Sequence, residues 1–127
     1  MADLFLDTRP YNAHSSATDA LWAGVPVLTH PSETFAGRVG ASLLQACGLD
    51  ELIADSAASY EETALRFARD STAHAELKAR LHRNLQSCPL FDTAGFTRNL
   101  EAAYSVMWEN HQRGLEPHAF SVKRMPP

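Results

Sequence analysis

The sequence has few cysteines, no long hydrophobic run and no excess of positive charge. Its only cysteines, Cys47 and Cys88, make neither a disulfide framework nor a Cys-x-x-Cys metal motif. The net charge of −4 gives no electrostatic reason to expect nucleic acid or an anionic membrane as a partner. No apolar run approaches the ~20 residues that cross a bilayer, and the start of the chain does not resemble a secretory signal. We therefore expect a cytoplasmic protein that binds no nucleic acid and no membrane.

Two common nucleotide-binding motifs are also missing. The chain has neither the Gly-x-Gly-x-x-Gly fingerprint of dinucleotide-binding domains nor the Gly-x-x-x-x-Gly-Lys-Ser/Thr loop of ATP- and GTP-binding proteins. What is present is ordinary for one soluble domain, with 127 residues, 45% hydrophobic and 20% charged.

The first third of the chain predicts a strand–helix–strand unit. Leu4–Leu6 is a short, wholly apolar run of the kind found in parallel strands that are covered on both faces. A helix is expected over about residues 16–23, ended by Gly24, and the next strand over Val25–Thr29. The fold class is therefore α/β with a parallel sheet. Because so few strands are visible, we expect the sheet to be incomplete without further strands from a longer parent chain or a partner.

The rest of the chain predicts mainly helices. Ser32 is expected to cap a helix over about residues 33–47, and Leu52–Ala54 to add an edge strand. A capping box beginning at Ser59 predicts a helix to about residue 69, followed by helices over about residues 72–86 and 92–113. The last helix has an apolar stripe that is expected to be buried, formed by Phe96, Leu100, Tyr104, Met107 and His111.

The polar segment between the first strand and the first helix is the best candidate for a functional site. It brings His14, Ser15 and Ser16 to the start of a helix, where unpaired N–H groups and the helix dipole favour a phosphate. A structural role is also open, because either serine could be the N-cap. If Ser16 is the cap, Asp19 completes an approximate capping box. In a nucleotide site, Asp19 would instead accept hydrogen bonds from ribose hydroxyls. Spacing alone does not decide between these roles.

Several blocks of the sequence, taken in order, resemble the protein O-GlcNAc transferase family. In that family the first block reads Leu-Asp-Thr, then Asn-Gly-His-Thr-Thr, then Asp-x-Leu-Trp-x-Gly-x-Pro-Val. Its later blocks include Pro-Gly-Glu-Thr followed by Arg-Val-Ala-Ala-Ser. The corresponding segments here are Leu6–Thr8, Tyr11–Ser16, Asp19–Val27, Pro31–Thr34, Arg38–Ser42, Leu52–Ala54, Ser87–Thr93 and Tyr104–Trp108.

The resemblance implies the Rossmann-like, carboxyl-terminal lobe of a glycosyltransferase of the GT-B fold, which holds the donor UDP-GlcNAc. It implies that His14, Ser15 and Ser16 contact the diphosphate, that Asp19 contacts the ribose, and that Tyr11 lies beside the sugar. The lobe would occupy residues 1–115, with a tail over residues 116–127. No cofactor and no metal are expected, since UDP-GlcNAc is a substrate.

The resemblance also implies that the parent enzyme transfers GlcNAc to serine and threonine hydroxyls of a protein acceptor. The family's amino-terminal catalytic lobe and helical repeats would lie upstream, so we expect this chain to be inactive in isolation. In the family the last helix crosses back to the other lobe, so the resemblance implies that its apolar stripe looks exposed in an isolated fragment. Two alternatives stay open: a related transferase that uses another nucleotide sugar such as GDP-fucose, and a non-catalytic binding module.

Overall fold

The computed structural model describes residues 2–123, which belong to two compact units divided between Leu90 and Phe91. The first unit contains the parallel sheet and all the helices but the last. The second contains the last helix and the residues around it.

The first unit begins with the expected strand–helix–strand arrangement. Strand β1 (Phe5–Leu6), helix α1 (Ser15–Trp22) and strand β2 (Val27–Leu28) follow in order, and the strands pair in parallel with Phe5 opposite Val27. The α/β prediction with a parallel sheet is confirmed, although each strand is shorter than predicted. Gly24 ends the helix with a φ of 76°, a conformation that a residue with a Cβ rarely adopts.

The predicted edge strand at Leu52–Ala54 is reduced to one bridge. Asp50–Leu52 forms a short 3-10 helix, and only Ile53 then bridges to Thr29, in parallel. The segment turns too tightly for a strand, because the N–H of Leu52 donates to the carbonyl of Leu49 and that of Ile53 to Asp50. Within residues 2–123 the sheet therefore has two strands and this bridge, which is few for a parallel sheet.

Helix α2 (Val39–Ala46) begins six residues later than the predicted start at Glu33. The intervening segment turns instead, with the N–H of Gly37 donating to Thr34 and that of Arg38 to Phe35. A Cβ at Gly37 would lie 2.8 Å from the carbonyl oxygen of Pro10 and would also collide with the Ser32 hydroxyl. The tight packing of this glycine explains why the chain folds into a compact loop here and not into a helical turn.

Helices α3 (Ala57–Arg69) and α4 (Ser71–Leu85) complete the first unit. The predicted capping box beginning at Ser59 is wrong: a different box starts the helix, with Ser56 as the N-cap and Ser59 as its partner at the third helical position. Asp70 caps α4 by accepting the N–H of Ala73 at 2.9 Å. The core of the unit consists mainly of fully buried leucines, namely Leu21, Leu28, Leu44, Leu49, Leu52, Leu77 and Leu81.

The second unit consists of helix α5 (Thr93–Gln112), capped by Asp92, and a segment without helix or strand. The apolar stripe is largely exposed, as the resemblance implies for an isolated fragment, and not buried as its spacing alone predicts: Phe96, Tyr104 and Met107 are 64%, 60% and 51% exposed. Residues 124–127 of the predicted tail lie outside the described residues. No helix within residues 2–123 combines the length and the apolarity needed to cross a membrane.

Candidate functional site

The loop between β1 and α1 (residues 7–14, the first loop) is organised by one buried carboxylate. Asp7 is 7% exposed, and its Oδ1 accepts the N–H of Thr8 at 2.9 Å and the N–H of Ala13 at 2.7 Å. Its Oδ2 accepts the hydroxyl of Thr29 at 2.6 Å, at the end of β2. Both ends of the loop are thus attached to the same side chain.

The segment that precedes α2 (residues 30–38, the second loop) packs against the first loop. The N–H of Asn12 donates to the carbonyl of Ala36 at 3.0 Å, and the Ser32 hydroxyl donates to the carbonyl of Pro10 at 3.3 Å. The Nε2 of His14 lies 3.4 Å from the same carbonyl of Ala36. The second loop therefore forms one wall of the candidate site, which the prediction of a helix at Glu33 did not anticipate.

An aromatic cluster surrounds His14. The Tyr11 ring stacks on the imidazole with centroids 4.8 Å apart and planes 16° from parallel, and the Phe35 ring meets it edge-on at 6.4 Å. Tyr11 and Phe35 are nevertheless 62% and 77% exposed. They leave large apolar faces available to a ligand on either side of the imidazole.

The amino terminus of α1 is open. His14 is the N-cap residue and makes no side-chain capping hydrogen bond, so the alternative in which Ser15 or Ser16 caps the helix is wrong. Ser15 and Ser16 are instead the first two helical residues, and both are exposed. Within residues 2–123, no acceptor takes a hydrogen bond from their N–H groups or from that of Ala17. Free N–H groups at a helix start, together with hydroxyls that are not used in a cap, can bind an anion.

Asp19 lies on the second turn of α1 and is exposed. It follows Ser15 by four residues and Ser16 by three, a spacing that places side chains on neighbouring positions of one helix face, about 5–6 Å apart. The structure therefore brings together the five residues singled out from the sequence, with Tyr11, His14, Ser15 and Ser16 around the helix start and Asp19 one turn along it.

Sequence reasoning missed the residues that support this site. Asp7, Thr29 and Gly40 pack tightly, because a Cβ at Gly40 would lie 2.6 Å from Asp7 Oδ2 and 2.7 Å from Thr29 Oγ1. Tyr60, on α3, donates its hydroxyl to the carbonyl of Asp7 at 2.8 Å. Burial, and secondarily the charge of Asp7, raise the pKa of Tyr60. The available signal was a polar residue directly after each apolar strand, Asp7 after β1 and Thr29 after β2.

The site shows no arrangement of metal ligands. Within residues 2–123, no cluster of three or more histidine, cysteine, aspartate or glutamate side chains could hold a metal ion. The chemistry that the residues offer is hydrogen bonding to an anionic, hydroxyl-bearing ligand.

Comparison with known proteins identifies the family. Residues 1–100 match glycosyl transferase family 41. A probable UDP-N-acetylglucosamine–peptide N-acetylglucosaminyltransferase, SEC of Arabidopsis thaliana, is 42% identical over 123 residues, which cover 96% of this chain and 13% of that protein. The UDP-N-acetylglucosamine–peptide N-acetylglucosaminyltransferase of Caenorhabditis elegans is 34% identical over 115 residues, 91% of this chain and 10% of that protein.

A solved structure agrees with these relatives. A mutant of the Thermobaculum terrenum O-GlcNAc transferase superposes with a TM-score of 0.79 at 41% identity, and the match covers 85% of this chain and 21% of that one. The chain thus corresponds to a small part of each of these proteins. On the family match and the sequence identity together, the chain belongs to glycosyl transferase family 41.

Proposed function

We propose that this chain is the donor-binding part of a protein O-linked N-acetylglucosaminyltransferase, the Rossmann-like carboxyl-terminal lobe of a GT-B catalytic domain. Its ligand would be UDP-GlcNAc, and the parent enzyme would transfer GlcNAc to serine and threonine hydroxyls of a protein acceptor. The observation that carries the proposal is the open amino terminus of α1, where Ser15 and Ser16 present free hydroxyls and N–H groups beside the imidazole of His14.

The order of these groups along the helix matches the order of groups in a nucleotide sugar. The diphosphate would accept hydrogen bonds from the helix N–H groups, from Ser15 and Ser16, and from His14. One turn further along, the Asp19 carboxylate can accept hydrogen bonds from ribose hydroxyls, because the ribose adjoins the diphosphate. On the other side, the exposed ring of Tyr11 offers an apolar face to the sugar.

The contribution of this site to catalysis would be stabilisation of the departing UDP. Cleavage of the bond between the sugar and the diphosphate leaves negative charge on the phosphate oxygens, and prearranged N–H and O–H donors stabilise that charge as it develops. Transfer also needs an oriented acceptor hydroxyl, which this chain alone would not provide. We therefore expect the isolated chain to bind the nucleotide but not to transfer sugar. The parent chain would supply an amino-terminal lobe and helical repeats.

Isothermal titration with UDP tests the proposal. The chain should bind UDP, and His14→Ala should weaken binding by about 10- to 100-fold, the range expected for loss of a hydrogen bond to a charged group. His82→Ala is the matched control, because His82 is an exposed histidine on α4. Absence of heat with UDP, or equal affinities of the two variants, would refute the proposal.

Competition titrations separate the alternatives. Preference for UDP and UDP-GlcNAc over GDP and GDP-fucose is the expected result, and the opposite order would identify a related transferase with another donor. Sugar transfer to a protein acceptor by the chain alone, at a rate normal for such an enzyme, would contradict the expected inactivity in isolation.

A further inference from the structure

The carboxylate of Asp7 is buried and accepts three hydrogen bonds from other residues of the chain. Its Oδ1 receives two N–H groups, from Thr8 at 2.9 Å and Ala13 at 2.7 Å, and its Oδ2 receives the Thr29 hydroxyl at 2.6 Å. The single ion pair found within residues 2–123 joins Arg80 and Glu51. The buried carboxylate of Asp7 is therefore satisfied by hydrogen-bond donors and not by a cation.

A buried charge without a counterion is costly, so its donors must be well placed. Thr8 and Ala13 are at the two ends of the first loop, and one oxygen atom joins their N–H groups. Further hydrogen bonds lie inside the closed segment, where Asn12 Nδ2 donates to the carbonyl of Thr8 at 2.9 Å and the Thr8 hydroxyl donates to the carbonyl of Tyr11 at 3.0 Å. The loop is thus fixed at its ends and braced within.

The residue after Ala13 is His14, the N-cap of α1. The hydrogen bond from Ala13 to Asp7 fixes the plane of the Asn12–Ala13 peptide, and with it the position from which the chain continues to His14 and the first helical residues. His14 has no side-chain capping bond of its own, so this anchor substitutes for a cap in defining where the helix begins.

We propose that Asp7 is a positioning residue of the donor site: by holding both ends of the first loop, its carboxylate sets the direction of the α1 amino terminus and of His14. This inference rests on the proposed function, because the groups that it positions are those proposed to bind the diphosphate. Asp7 itself does not touch the nucleotide.

Three variants of the full 127-residue chain test this role. Asp7→Ala removes all three contacts, whereas Asp7→Asn keeps an oxygen that can accept the N–H groups of Thr8 and Ala13. Thr29→Val removes the hydroxyl that donates to Asp7 Oδ2 but leaves the contacts of Asp7 with Thr8 and Ala13 intact. It therefore shows what loss of stability alone does to UDP binding. Each variant is compared by UDP titration, by thermal unfolding and by the hydrogen-exchange rate of the Ala13 amide measured by NMR.

We expect Asp7→Ala to weaken UDP binding at least 10-fold and to raise the exchange rate of the Ala13 amide at least 10-fold, under conditions where the chain is folded. Asp7→Asn should bring both the UDP affinity and the exchange rate of the Ala13 amide most of the way back to the wild-type values. Thr29→Val should lower the melting temperature while leaving UDP affinity within about 2-fold of wild type. This split separates positioning from a general loss of stability.

The failures are distinguishable. Wild-type UDP affinity in Asp7→Ala or failure of Asp7→Asn to recover binding would overturn the positioning role. So would a loss in Thr29→Val as large as that in Asp7→Ala. If Asp7→Ala does not fold, loss of UDP binding in Asp7→Asn or in Thr29→Val would still overturn the positioning role. Absence of UDP binding by the wild-type chain would overturn the proposed function and, with it, the role of Asp7 in a donor site.

Discussion

Replacement of Gly40 by alanine should destabilise the protein, although the same change in most helices is stabilising. Gly40 is the second residue of α2, and glycine there costs about 1 kcal/mol relative to alanine on propensity alone. In this structure, however, an added Cβ would lie 2.6 Å from Asp7 Oδ2, 2.7 Å from Thr29 Oγ1 and 3.1 Å from Thr29 Cβ. Atoms at these distances must move apart, and they belong to a buried hydrogen-bonded pair.

The two effects oppose each other, and their sizes decide the sign. Overpacking a tight interior costs about 1–3 kcal/mol. Moving the Thr29 hydroxyl away from the Asp7 carboxylate also weakens a charge-assisted hydrogen bond, and such a bond contributes about 1.5–3 kcal/mol when intact. The propensity gain of about 1 kcal/mol is smaller than this sum. We therefore expect Gly40→Ala to lower the free energy of unfolding by about 1–3 kcal/mol.

Urea unfolding followed by circular dichroism measures the change, with Ser42→Ala, at an exposed position on the same helix, as the matched control. The control should remain within about 0.5 kcal/mol of wild type. In a Thr29→Ala background, Gly40→Ala should cost about 1 kcal/mol less, because the side chain of Thr29 is no longer in the way. A Gly40→Ala protein as stable as wild type, or additive effects in the double variant, would refute the packing argument.

Further predictions concern Ser56, Tyr60 and Cys47. Ser56→Ala should lower the free energy of unfolding by about 0.5–2 kcal/mol in urea titrations, because Ser56 caps α3; an unchanged value would contradict the observed capping box. Tyr60→Phe should lower it by about 1 kcal/mol at neutral pH, since the hydrogen bond to the carbonyl of Asp7 is lost. Because the pKa of Tyr60 is raised on folding, the free energy of unfolding of the wild-type chain should also fall as the pH rises above about 10. If the free energy of unfolding of Tyr60→Phe falls equally steeply above this pH, ionisation of Tyr60 is not the cause. Burial, and secondarily the neighbouring Cys88 thiol, raise the pKa of Cys47 from 9.0 to about 12. Because the thiolate is the reactive form, alkylation of Cys47 at pH 8 should be about a thousand-fold slower in the native chain than in the urea-unfolded chain. Equal alkylation rates would contradict the burial of Cys47.

The sequence predicted those parts of the fold that depend on local patterns. Apolar runs located β1 and β2, and Gly24 located the end of α1. Capping by serine was predicted for α3 at Ser59, because Glu62 follows it by three residues as a capping box requires, whereas Ser56 is followed at that spacing only by another serine. The structure assigns Ser56 as the cap, with the hydroxyl of Ser59 also donating to Asp55. Local chemistry gave the kind of helix start but not its position.

The start of α2 could not be predicted because tertiary contacts determine it. Ser32 and Glu33 look like the beginning of a helix, yet Ser32 donates to Pro10 in another loop, and Gly37 packs where a Cβ would not fit. The candidate site divides in the same way. The residues on the first loop were visible from their order in the sequence, whereas Phe35 and the anchoring role of Asp7 depend on contacts between segments about 20 residues apart or on burial.

The two-point attachment of the first loop separates what must stay fixed from what is able to vary. Within the first loop, Asp7 accepts only the backbone N–H groups of Thr8 and Ala13, so the side chains between them take no part in that attachment. Arg9 and Tyr11 are both exposed on this span. In the proposed donor site, exchange of Arg9 would leave this attachment intact, whereas exchange of Tyr11 would also remove the ring that stacks on the His14 imidazole. The backbone anchor and the aromatic contact are thus two separate supports of one imidazole, and either can change without loss of the other.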